Sequence, residues 1–178
     1  AMHPVRMLVL TPTRELADQI DQNVQAYIKN LPLRHTVLFG GVNMDKQTAD
    51  LRAGCEIVVA TVGRLLDHVK QKNINLNKVE IVVLDEADRM LDMGFIDDIR
   101  KIMQMLPKQR QTLLFSATFS PPIRKLAQDF MHTPEMVEVA AQNTTNANVE
   151  QHIIAVDALK KRNLLERLIV DLHMNQVI

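Results

Sequence analysis

The chain has 178 residues, 47% of them hydrophobic, with 21 basic and 21 acidic side chains and so no formal net charge. That length holds one domain with a sizeable core and no second complete one, and the charge balance excludes an overall basic field that would draw in nucleic acid, so any polyanion site is local. The single cysteine, Cys55, excludes an internal disulfide and reads as a small buried residue of a reducing compartment, and no apolar run reaches membrane-spanning length, which together suit a cytoplasmic protein with no membrane partner.

In chain order, Ala1-Met2 reads as a leader remnant. Met7-Leu8-Val9-Leu10 is the first short apolar run of strand type. Leu16, Ile20, Val24, Tyr27, Ile28 and Leu31 then recur at helical spacing, and Pro12 suits the first turn of that helix. Further strands are expected near 35–39, 56–60, 79–84, 111–115 and 136–139, with helices between them, notably over 95–106 and 121–131. This alternation is that of an α/β fold with a parallel sheet covered on both faces. Residues 140–148 turn to Ala, Gln, Asn and Thr and read as a linker; beyond it, 149–156 reads as a strand and 159–172 as a helix. The ten methionines are expected mostly as core filler, and the six histidines lack the spacing of zinc ligands.

Five short polar signatures follow five of the apolar runs. Pro12-Thr13-Arg14-Glu15-Leu16 follows the first, Gly40-Gly41 the second, Thr61-Val62-Gly63-Arg64 the third, Asp85-Glu86-Ala87-Asp88 the fourth and Ser116-Ala117-Thr118 the fifth. Each has a plain reading by itself. Carboxylates cap the positive end of a following helix, Ser and Thr start helices, a Gly pair makes a tight turn, and arginines lie on solvated helix faces, where Glu15 could pair with one of them. Taken together and in this order, the five signatures resemble the DEAD-box family of ATP-dependent RNA helicases over nearly the whole chain. The wording of 111–131 is similar to the bacterial RhlE-like branch.

The resemblance implies a RecA-like sheet of the P-loop NTPase type, with ATP and Mg²⁺ as cofactors of a longer parent and RNA as its partner. Asp85 would hold Mg²⁺ through water, Glu86 would orient or deprotonate the water that attacks the γ-phosphate, and Asp88 would accept hydrogen bonds from Ser116 and Thr118, coupling nucleotide state to a second RecA-like domain. Pro12, Thr13, Arg14, Gly40, Gly41, Thr61, Gly63 and Arg64 would form the RNA surface, reading backbone and leaving sequence unread. Few aromatics are present for base stacking, which favours backbone recognition. The family usually has proline where this chain has Val62, which loosens the turn before Gly63.

None of the five glycines is followed by lysine, so the phosphate-wrapping loop of such an ATPase is absent from this sequence. The expectation is a first domain over 2–140 that starts after its phosphate-loop strand, a linker over 141–148 and a stub of the second domain over 149–178, with ATP neither hydrolysed nor tightly bound by the chain alone. The alternative is a non-enzymatic RNA- or protein-binding module derived from a helicase. Loss of the phosphate-loop strand would expose a sheet edge at 111–115, and the strand-helix tail is expected to refill it, within one chain or by exchange in a homodimer.

Overall fold

Short runs of Val, Ile and Leu bounded by polar turns favour strands that are buried on both faces, and such strands pair in parallel. The computed structural model, which describes residues 3–138 and 152–174, contains five of them. They are β1 (Met7–Thr11), β2 (His35–Leu38), β3 (Ile57–Thr61), β4 (Ile81–Leu84) and β5 (Gln111–Leu114), all parallel and in the order β2-β3-β1-β4-β5. The chain therefore switches direction across the sheet at β1, whose neighbours are β3 and β4. In open α/β sheets that is where ligands bind, beyond the strands' carboxyl ends.

The period of two along each strand divides the core. Leu8, Leu10, Val58, Ala60, Val82 and Leu84 belong to one cluster, packed with helices α3 (Val62–Lys70), α5 (Ile96–Met105) and α6 (Pro121–Phe130). Val9, Val59 and Val83 face the other way and meet Ala17, Ile20 and Val24 of helix α1 (Arg14–Ile28). Two further helices, α2 (Met44–Ala53) and α4 (Ala87–Asp92), follow β2 and β4.

Several sequence expectations need correction. Pro12 lies ahead of α1, because Thr13 is the N-cap and its hydroxyl accepts from Leu16 N–H at 3.3 Å. The apolar stripe of α1 ends early: Tyr27 and Leu31 are exposed. Among the described methionines only Met90 and Met103 are buried, while Met93, Met105, Met136 and Met174 are exposed, because thioethers also tolerate water. Residues 136–138 form no strand, since an extended run without a neighbour to pair with has no ladder to join.

The expected sheet edge is present. In the described residues β5 is paired only with β4, Phe115 is exposed, and a cavity of about 370 Å³ opens among Leu113, Phe115, Phe119, Ala127 and Met131. Of the segment expected to refill it, the described residues 152–156 have no strand structure, and Ile153 is fully exposed. The chain divides into two units, Ala1–Gln142 and Asn143–Ile178. The second contains a 3₁₀ turn (Ala158–Lys160) leading into helix α7 (Lys161–Asp171), shorter than the 159–172 expected. The linker expected at 140–148, Val139 and residues 149–151 lie outside the described residues.

Candidate functional site

Because all five strands run the same way, their carboxyl ends share one edge, and the five signatures line up along it in sheet order. Gly40-Gly41 follow β2, Thr61 to Arg64 end β3 and open α3, Pro12 to Arg14 follow β1, Asp85 to Asp88 follow β4, and Ser116 to Thr118 follow β5. With strands about 4.8 Å apart, the row is roughly 19 Å long. Its β2-β3-β1 part carries arginines, glycines and hydroxyls; its β4-β5 part carries carboxylates and hydroxyls.

On the acidic side, the main chain is tied to the neighbouring strands. Asp85 N–H donates to Leu10 O (3.0 Å), and Ala87 N–H to Phe115 O (3.0 Å). Glu86 takes left-handed dihedrals, φ 49° and ψ 51°, which sharply turns the chain from β4 into α4. No side-chain cap bond forms at Glu86, which pairs with Arg89 at 3.2 Å, while Asp88 in the first turn of α4 accepts from Arg89 N–H at 3.0 Å through Oδ1. Asp85 Oδ1 accepts from Glu86 N–H at 2.9 Å. Burial pushes the Asp85 carboxyl above its ordinary range, against that hydrogen bond, and the Glu86 charge adds to the rise. A half-buried pair of adjacent carboxylates is chemically suited to a hard cation such as Mg²⁺, which takes oxygen ligands and would reverse the cost of ionising Asp85.

Asp88 and Ser116-Ala117-Thr118 come together as the sequence led one to expect, with one correction. Thr118 donates to Asp88 Oδ2 from both its N–H and its hydroxyl, each at 3.1 Å. The Ser116 hydroxyl donates instead to Thr118 O at 2.7 Å. Its reach is local, and it shapes the turn that carries Thr118. No helix starts at Ser116; α6 begins at Pro121.

On the basic side, Arg14 is exposed at the start of α1, its guanidinium 5.9 Å from the centre of the Phe39 ring and 3.9 Å from Glu15. Gly41 has φ +80°, and a Cβ there would lie 3.0 Å from Arg14 Nη1, so the loop and the arginine are in close contact. Thr61 donates to Leu38 O at 3.4 Å. Val62 is the first residue of α3 and fully buried, in the N1 position where a proline fits a helix. The helix therefore starts at that position with valine in place of proline. Gly63 is exposed beside it.

Arg64 is held by Gln47, a residue that sequence reasoning missed. Gln47 offers no signal, being one polar residue in a polar helix. Behind it lies His68, fully buried on the same face of α3 as Leu65. Its i+3 spacing from Leu65 was the available clue.

The chain matches the model of the DEAD/DEAH box helicase family over residues 1–126. It is similar to the ATP-dependent RNA helicase CshA of Listeria monocytogenes, 42% identical over 165 residues that make up 93% of this chain and 32% of the relative. With the ATP-dependent RNA helicase RhlB of Pseudomonas syringae pv. tomato it is 46% identical over 169 residues, 93% of this chain and 43% of the relative. The crystal structure of the yeast DEAD-box splicing factor Prp28 superposes with a TM-score of 0.69 at 36% identity, covering 74% of this chain and 31% of that one. The chain thus spans about a third to two fifths of the length of these relatives. With a parallel sheet of RecA-like order, five signatures on one edge and a family match over most of its length, the chain belongs to the DEAD/DEAH box helicase family.

Proposed function

We propose that this chain is the greater part of the first RecA-like domain, over 2–140, of an ATP-dependent RNA helicase, followed by a linker over 141–148 and the start of a second domain over 149–178. The observation that carries this reading is the division of one sheet edge into a phosphate-seeking side on β2, β3 and β1 and a carboxylate side on β4 and β5.

In the longer protein, ATP with Mg²⁺ supplies the phosphoryl group to be transferred and the charge that neutralises it. Asp85, with one oxygen taken by Glu86 N–H, presents its carboxylate to the cation's water shell. Glu86, turned out of the strand by its left-handed backbone and steadied by Arg89, is the group that orients a water molecule and receives its proton. Asp88 and Thr118 tie the β4 and β5 ends together, so that a change at the carboxylates is felt on the surface offered to the second domain. Arg14, Arg64 and the amides of the Gly40-Gly41 loop are donors for RNA phosphates, joined by the Thr61 hydroxyl when it turns from its long 3.4 Å bond to Leu38 O, with Pro12, Thr13 and Gly63 shaping the turns that carry them. Such contacts position a backbone and do not read bases.

The reading is tested in two ways. Without a Gly-Lys phosphate loop in its sequence, the chain alone is expected to give no RNA-stimulated ATP hydrolysis; a clear rate that disappears in Glu86→Gln would overturn that expectation. In titrations of two labelled single-stranded RNAs of unlike sequence, Arg14→Ala and Arg64→Ala are expected to weaken both equally and to lower the salt slope by about one phosphate contact each. A changed base preference with an unchanged slope would refute backbone recognition.

A further inference from the structure

Gln47 is 5% exposed on α2, and its side-chain amide reaches three groups, one in the loop after β2 and two on α3. Nε2 donates to Phe39 O at 3.0 Å, while Oε1 accepts from Arg64 Nη1 at 3.1 Å and faces His68 Nε2 at 3.1 Å. A guanidinium only donates and a backbone carbonyl only accepts, so these two partners fix which end of the amide is oxygen. His68 must then carry its proton on Nε2, which leaves Nδ1 as an acceptor. The Asn73 amide nitrogen stands 3.3 Å from Nδ1 and also reaches Thr48 Oγ1 on α2 at 3.2 Å. Donors and acceptors agree around Gln47, whereas the Asn73 amide nitrogen, also 3.1 Å from Gln71 Oε1, has two hydrogens to share among three acceptors.

Its outer members are groups of the basic side of the edge. Arg64 donates from Nη1 and Nη2 to Val42 O, at 3.3 Å each. The loop over 39–42 is therefore pinned at Phe39 by Gln47 and at Val42 by Arg64, with Gly40 and Gly41 between the two ties. An arginine side chain gives up rotamer entropy when it is fixed, and one already held by a buried amide has less to lose when a phosphate arrives.

We propose that Gln47 and His68 are positioning residues, which hold Arg64 and the Gly40-Gly41 loop in the geometry that receives the RNA backbone. The proposal rests on the RNA-backbone reading of that surface and extends it to two side chains that do not themselves meet the ligand.

The test compares Gln47→Leu, His68→Gln, His68→Leu, Arg64→Ala and the double variant Gln47→Leu/Arg64→Ala in the full chain. A labelled single-stranded RNA is titrated at several salt concentrations, at a temperature where each variant's far-ultraviolet circular dichroism matches that of the parent. Gln47→Leu is expected to weaken binding roughly three- to tenfold, the net worth of one or two hydrogen bonds, with the salt slope unchanged because no phosphate-binding charge is removed. Its effect should be much smaller in the Arg64→Ala background, and His68→Gln, whose amide can still donate to Gln47, should keep the affinity that His68→Leu loses. Equal effects of Gln47→Leu in both backgrounds, or equal losses in the two His68 variants, would mark a packing role and overturn the proposal. A second measurement needs no RNA: the ¹⁵N shifts of His68 should report the Nε2-protonated tautomer, and an Nδ1-protonated ring would overturn the network itself. If the tautomer is as expected but Arg64→Ala leaves RNA binding unchanged, the RNA reading falls and takes this role for the pair with it.

Discussion

Asp88 and Thr118 are joined by two hydrogen bonds to a single oxygen, both 3.1 Å, across a gap of thirty residues in sequence. Thr118→Val keeps the shape and the N–H bond but loses the hydroxyl bond, whereas Asp88→Ala removes the acceptor of both. In urea unfolding of the chain we expect a loss of about 1 kcal/mol for Thr118→Val and a larger one for Asp88→Ala. No loss in Thr118→Val would mean that the hydroxyl contributes nothing to joining the two strand ends, and equal losses in the two variants would mean that the N–H bond adds nothing to it.

Gly41 and Gly54 both have positive φ, of +80° and +88°, but differ in what a side chain would meet. At Gly41 the neighbour is the mobile end of Arg14; at Gly54 it is His3 Cβ at 3.0 Å and the His3 carbonyl at 3.2 Å, which are backbone-anchored. Gly41→Ala is expected to cost about 1 kcal/mol, the ordinary penalty of a left-handed alanine. Gly54→Ala should cost more, up to about 3 kcal/mol, because strain adds to the penalty. Thermal unfolding of the two variants side by side checks the order.

His68 introduces a pH dependence. Burial lowers its pKa in the folded chain, the Arg64 charge lowers it further, and Asp67 opposes them. The unfolded ring takes up its proton near pH 6.5, before the folded one does. Stability from this source is therefore complete above about pH 6.5 and is lost as pH falls through that value towards the folded pKa, by at most about 1.4 kcal/mol per pH unit. Urea midpoints of the parent and of His68→Gln, measured between pH 7.5 and 5, should diverge towards the acid end, with the parent losing more.

Cys55 is expected to be inert. Burial pushes its thiol up to about 12, with the Glu56 and Asp50 charges adding to the rise, so almost no thiolate exists at neutral pH. Iodoacetamide at pH 8 should leave the native chain unlabelled and label it readily in denaturant. Rapid native labelling would show that the β3 end opens.

The five parallel strands were legible in the sequence because β1, β3 and β4 are apolar runs, β2 and β5 end in apolar pairs, and each is closed by a polar signature. Within the two segments expected as strands, the described residues 136–138 and 152–156 form none although their side chains suit one, because pairing is a property of two segments and cannot be seen in one. At the site, the contact between Asp88 and Thr118 was legible only through the family resemblance, and adjacent strand ends make it possible. The Ser116 bond went elsewhere because a serine hydroxyl finds the carbonyl two residues on at less cost than a carboxylate on the next strand end. Gln47 was hidden for a related reason: α2 lacks apolar periodicity, so nothing in its sequence says which polar residue turns inward.

The central place of β1 limits how the two sides of the edge can communicate. Its residues are in register with both neighbours, Thr11 opposite Thr61 and Leu10 opposite Leu84. Sliding either neighbour by one residue would turn its buried side chains to the wrong face of the sheet, so the strands themselves cannot carry a graded signal. What remains free to adjust is the ring of short connections beyond them: the glycine loop after β2, the left-handed turn at Glu86 and the Ser116 to Thr118 turn. A change at the carboxylates can reach the arginines only by altering how these turns sit on a fixed frame.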